Sequence, residues 1–269
     1  MRFLSSTAIA FGLMMAAAQG VAAQDTPRST TYPTPGGDDP IANEGVVDDS
    51  AVDALKEMSD FLMSATTLGV TSIGSMDAVT ENGQRIQMDG MTTYKIRRPG
   101  FVIDYMSDIK SRRFLYDGKN FTVYSPLLGF YATVPAPGTN REVLDTIYER
   151  FGISLPLEDL FRWGDGSSAA RLQALESAYK VGTATIDGVE TDHFAFREAA
   201  VDWEIWIDAG DQPFPRKLVI VDRNDPAKPT FIAHLSWQLN PTFADSDFTF
   251  VPGPDAKQIQ LASYQGAGE

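Results

Sequence analysis

The groups able to do chemistry in this chain are few. It has two histidines, His193 and His234, and no cysteine. A thiol nucleophile, a cysteine-ligated metal and a disulfide scaffold are therefore excluded. Neither histidine stands on metal-ligand spacing. Both fall inside strand-like runs, where an imidazole ordinarily serves as a structural hydrogen-bonding group. Carboxylates are plentiful: Asp202, Glu204 and Asp208 share one face of an alternating run, and Asp222 and Asp225 flank a turn. Two carboxylates placed across a glycosidic bond can act as acid and base. The alternation Asp202-Trp203-Glu204-Ile205 also accounts for these acids as the wet face of a strand. No G-x-S-x-G elbow, P-loop, dinucleotide fingerprint or H-E-x-x-H is present. The expectation is a protein that is not an enzyme and takes no metal and no cofactor.

Charge narrows the partners. The formal net charge is −14, which argues against nucleic acid and against anionic membrane surfaces. One stretch runs the other way. Between Lys95 and Lys119 lie seven basic residues and three acids. They read either as solvated strand edges whose charge blocks aggregation, or as a rim that meets lipid headgroups or an acidic partner. In the second reading Arg112 and Arg113 are the possible docking residues.

The elements that position these groups are mostly strands. From Tyr94 to Asn140 the chain reads as four strand-like runs, three turns and a helix start. Phe101, Ile103 and Tyr105 share one strand face, Phe121 and Val123 another, and Phe130, Ala132 and Val134 a third. That is period-two patterning. The breaks fall at Arg98-Pro99-Gly100, at Tyr116-Asp117-Gly118-Lys119 and over 125–129; Asp-Gly between alternating runs is a strong hairpin signal. Upstream, Val52, Leu55, Ser59 and Leu62 form a helical stripe with Ser50 as candidate N-cap, followed by strands near 68–79 and 84–95.

A helical insert interrupts the strands. Thr139 and Glu142 form a T-x-x-E capping box, and Leu144, Ile147, Tyr148 and Phe151 follow at helical spacing. Pro156 opens a second short helix bearing Leu157, Leu160, Phe161 and Trp163. Strands resume over about 176–186, 191–197, 201–209, 215–223 and 230–238, with Phe248-Thr249-Phe250 as a candidate edge. The fold class expected is mainly β (α+β): an open, strongly curved antiparallel half-barrel of about ten strands, with helices covering the concave face.

Residues 1–23 have the form of a cleavable secretory signal: Arg2, an apolar core from Ile9 to Ala18, and small residues before Gln24. Its removal takes away Arg2 and no acid, so the charge falls from −14 to −15. Residues 24–49, rich in proline and glycine, read as a disordered linker. Residues 50–269 then form one domain with its lid at 139–163. The expected location is the periplasm, with no integral membrane segment in the mature chain.

Family resemblance sharpens this. Arg97-Arg98-Pro99, Tyr116-Asp117-Gly118-Lys119, Tyr131-Ala132-Thr133-Val134-Pro135-Ala136-Pro137, Leu155-Pro156-Leu157-Glu158-Asp159-Leu160-Phe161, Asp202-Trp203-Glu204-Ile205-Trp206-Ile207-Asp208, Pro215-Arg216-Lys217-Leu218 and Phe248-Thr249-Phe250-Val251-Pro252 resemble a family of predicted periplasmic proteins. The resemblance covers roughly residues 49–261. That family in turn resembles the outer-membrane lipoprotein carriers, which implies binding of acyl chains or another lipid in a half-barrel, without catalysis or cofactor.

The leading expectation is a periplasmic binding protein holding a lipid or acylated ligand between a curved sheet and a helical lid. Candidate lining residues are Phe101, Ile103 and Tyr105 from the first strands and Phe194, Phe196, Trp203 and Ile205 from the later ones. Trp206, Tyr124 and Tyr131 are further aromatics on the same strands. The lid would supply Leu144, Ile147, Tyr148, Phe151, Leu160 and Phe161. An envelope sensor or interaction module that binds a protein through the basic stretch is the second class, and a hydrolase using the strand acids the third.

Overall fold

The structure is a computed structural model, which describes residues 45–136, 138–155, 157–161 and 168–263. The expected signal segment, most of the expected linker, Pro156 and Trp163 lie outside the described residues.

Twelve strands of the described residues form one sheet, in the order β12-β6-β5-β4-β3-β2-β1-β11-β10-β9-β8-β7. The sheet is curved and unclosed. Two antiparallel meanders make it. The first is β1 (Thr67–Val79), β2 (Arg85–Arg97), β3 (Phe101–Ser107), β4 (Ser111–Tyr116), β5 (Asn120–Ser125) and β6 (Phe130–Pro135). The second is β7 (Leu175–Ile186), β8 (Val189–Glu198), β9 (Val201–Asp208), β10 (Pro215–Asp222) and β11 (Thr230–Leu239). They join where β1 pairs with β11, in register from Leu68↔Leu239 to Met76↔Phe231.

This order decides what covers the sheet. β6 lies near one edge and β7 forms the other, so the chain between them must cross the full width. That crossing carries α2 (Asn140–Phe151), a 3₁₀ turn (Glu158–Phe161) and α3 (Ser168–Gln173). The helix α1 (Asp49–Ser64) precedes the first strand. It buries Ala51, Val52, Leu55, Met58, Ser59 and Leu62 against the second meander.

Several boundaries differ from expectation. The run 101–115 is a hairpin, not one strand: it turns after Ser107, whose N–H donates to the Lys110 carbonyl at 2.8 Å. Asp108-Ile109 carries no glycine or proline to mark that turn. The N-cap of α1 is Asp48, whose side chain accepts from the Ser50 N–H at 2.8 Å; Ser50 lies inside the helix. The end of the expected linker belongs to the fold, since Val47 bridges to Ala178 on the β7 edge.

The largest difference is at the C-terminus. Residues 245–248 form a 3₁₀ turn rather than a strand edge. The segment after β11 crosses the outer face of the first meander, where Phe248 packs with Val102 and Leu115. Phe250 lies against Tyr124 and Tyr131, with ring centroids 5.4 and 5.0 Å apart. Asp247 and Asp245 pair with Lys95 and Arg97, each at 2.6 Å. The strap ends as β12 (Lys257–Gln258), which pairs in parallel with β6.

Candidate functional site

Strand register sorts the side chains into two faces. On the concave face of the first meander one cross-strand row runs Leu68, Ile96, Phe101, Tyr116, Phe121, Val134. The next runs Val70, Tyr94, Ile103, Phe114, Val123, Ala132. Both rows are apolar apart from two phenols. The Tyr116 hydroxyl donates to the Gly138 carbonyl at 2.6 Å, and Tyr94 hydrogen-bonds Thr92. Burial drives the Tyr94 phenol far above its ordinary value, so it is neutral at every working pH.

Helix α2 lies on these rows. Its capping box is present, with the Thr139 hydroxyl accepting from the Glu142 N–H and the Glu142 carboxylate accepting from the Thr139 N–H at 2.6 Å. Those bonds hold the Glu142 carboxyl below its usual range. At the far end Gly152 adopts φ 65°, a left-handed cap that favours glycine. The start of α2 is tied to the β2–β3 turn by Asn140, which accepts from the Gly100 N–H at 2.6 Å and donates to the Arg97 carbonyl at 2.8 Å. The buried stripe is centred on Val143 and Ile147. Leu144, Tyr148 and Phe151 are only half-buried at its margins, and Val143, which the spacing passed over, does more than any of them.

The expected lining residues do not form one site. Phe101 and Ile103 lie under α2, and Tyr105 stands one row further along, half-buried. Phe194, Phe196, Trp203, Ile205 and Leu160 belong to a second cluster, under α1. Of the expected lid, α2 covers only the first cluster, while Leu160 of the 3₁₀ turn packs into the second. The two clusters meet at Ile96, Leu157 and Trp237, which touch both. The side chain of Phe161 lies outside the described residues.

Other expectations resolve on the outer face. Trp206 is convex: His193 stacks on it at 3.9 Å and Lys217 lies over it at 4.4 Å. Tyr124 and Tyr131 are convex too, beneath the strap. The three strand acids share that face and each is held by a neighbour. Asp202 pairs with Arg197 at 2.6 Å, Glu204 with His193 at 2.8 Å and Asp208 with Arg216 at 2.5 Å. Arg112 and Arg113 do not form a docking pair, because neighbours on a strand point to opposite faces. Arg113 grips Asp104 on the convex side at 2.6 and 2.9 Å. Arg112 is concave and donates to the Ser125 hydroxyl at 2.6 Å.

A model of the DUF2092 family, described as predicted periplasmic proteins, matches residues 51–262. The chain belongs to that family. No curated protein matches it. Among solved structures, it is similar to an uncharacterized conserved protein from Thermus thermophilus, with 11% identity, 78% of this chain and 99% of that one covered, and a TM-score of 0.47. It is also similar to the lipoprotein LppX of Mycobacterium tuberculosis, with 14% identity, 73% and 98% covered, and a TM-score of 0.43. A third is a putative outer membrane lipoprotein-sorting protein domain from Vibrio parahaemolyticus, with 8% identity, 74% and 96% covered, and a TM-score of 0.34. Among the described residues of this DUF2092 chain, no helix is long and apolar enough to cross a membrane.

Proposed function

We propose that this chain is a periplasmic binding protein that holds the apolar part of a lipid or acylated molecule between the concave rows of the first meander and α2. The observation that carries the reading is the unequal attachment of the two covers. α1 buries six residues and is fixed at its C-terminal end by Arg98, which donates to the Ala65 and Leu62 carbonyls. α2 fully buries only Val143 and Ile147.

These two side chains, with the half-buried Leu144 and Phe151 beside them, contribute about 4–9 kcal/mol of burial. Eight methylenes of an acyl chain at ~0.8 kcal/mol each are worth about as much. A lipid tail can therefore take the place of α2 on the rows beneath it, while α1 keeps the other half of the sheet folded. Asn140, pinning the start of α2, is the natural pivot. The structural pairing of Asp202, Glu204, Asp208 and His193 supports a role without catalysis.

Lid and lining give opposite effects in the test. Ile147→Ala weakens the closed lid, so affinity for a fluorescent fatty-acid probe should rise severalfold, since less free energy goes into opening. Val123→Asp places a charge on the row beneath and should lower affinity at least tenfold with the far-UV spectrum unchanged. Equal probe binding by both variants and the parent chain would contradict the reading.

A further inference from the structure

Beyond the two apolar rows the concave face changes character within a single step of two residues. The third row runs Ser72, Thr92, Tyr105, Arg112, and Arg112 leads on to Ser125 through its hydrogen bond. Every member carries a hydroxyl or a guanidinium. Ser72, Thr92 and Ser125 are only 6%, 7% and 7% exposed, so this polar belt lies within the fold and not at a solvated rim. Burying hydroxyls and a cation is unfavourable unless they are satisfied.

Arg112 is satisfied only in part. Its Nη1 donates to the Ser111 carbonyl at 2.8 Å and to the Ser125 hydroxyl at 2.6 Å, both neutral oxygens. Among the described residues its Nε and Nη2 have no acceptor and the guanidinium has no carboxylate. Arg113 next to it shows the contrast, with a bidentate carboxylate on the other face. Lys110 precedes Arg112 by two residues in the same alternation. Partial burial first, then the charge of Arg112, pulls its ammonium below the ordinary value. Two cations held together and partly dehydrated are a receptor for a shared anion.

Resting on the proposed lipid-binding reading, we infer that Arg112 and Lys110 bind the anionic head group, a carboxylate or phosphate, of the amphiphile whose chain lies on the apolar rows. The free edge of the guanidinium offers the planar fork that a carboxylate or phosphate accepts in two bonds. Rows two residues apart are about 7 Å from one another, so the head sits immediately past the stretch that α2 covers. The acidic chain thus carries a concave cation cluster where a lipid tail would end.

Three probes of one chain length separate tail from head: hexadecanol, palmitate and hexadecyl phosphate, each displacing a fluorescent apolar reporter from the full mature chain. Palmitate or hexadecyl phosphate should bind roughly tenfold or more tightly than hexadecanol, the range of a charge-assisted hydrogen bond. The tighter anion names the head group. Arg112→Gln should abolish that excess and leave hexadecanol unchanged. Lys110→Gln should reduce it, and serves as the second variant where Arg112→Gln does not fold. Equal affinity for all three probes in the parent chain would overturn the inference and leave the lipid-binding reading standing. So would an equal loss for all three in both variants. Failure of every probe to bind would overturn both.

Discussion

At the scale of single residues, polar side chains tie the elements of this fold to one another. Asn140 shows it most clearly. Its amide makes three hydrogen bonds to the 97–100 turn, including a third to the Gly100 carbonyl at 3.1 Å. Asn140→Ala takes the acceptor from the partly buried Gly100 N–H, which costs about 1–3 kcal/mol, while the Gly100 carbonyl keeps the Arg97 N–H at 2.9 Å. It should lower Tm and, in hydrogen exchange, raise the rate of α2 amides well above those of α1. Equal protection of both helices would show that Asn140 is not the pivot. The residue scale is also where sequence reading is weakest. Arg112 and Arg113 are adjacent and alike in type, and Trp203 and Trp206 differ only in parity. Which of each pair faces inward depends on register, and a slip of one residue exchanges the faces. The hydroxyls Ser72, Thr92 and Ser125 carry no motif at all, and only pairing across the strands brings them beside Arg112.

At the scale of elements, local signals were legible wherever the chemistry is local. The Thr139–Glu142 box and the Asp117-Gly118 turn stand where their residues place them. The 107–110 turn lacks such residues, so its hairpin was hidden in one long run. The cover supplied by α1 was equally hidden. Its apolar stripe shows a helix with a buried face but not which strands receive it. The strap after β11 is the element least legible from sequence, because its residues alternate like a strand while their partners lie across the sheet. It has a testable weight. Phe248 is almost wholly buried on the convex face, and Phe248→Ala should destabilise by about 3–5 kcal/mol, the usual range for a buried aromatic. Denaturant unfolding would measure it. A loss below about 1 kcal/mol would mean that the strap is an ornament and not a support. The probe affinity of the folded variant should not change, since the strap and the concave rows lie on opposite faces.

At the scale of the molecule, the connection from β6 to β7 is what lays a second cover across the sheet. A sheet this wide, curved and unclosed, has an apolar concave side that some element must cover. The chain covers it twice, with a well-anchored helix over one half and a lightly held one over the other. The first keeps the fold, and in the proposed reading the second yields its place to a ligand of similar apolar surface. In the proposed function a lipid or acylated molecule takes that place. Native mass spectrometry of the chain recovered from periplasm, followed by organic extraction, tests it most directly. The expected mass is above that of the bare chain, with the excess passing into the organic phase as an acyl-containing molecule. A bare mass that stays unchanged after incubation with palmitate or phospholipid would contradict the proposed function, and would mark the covered sheet as a packed core.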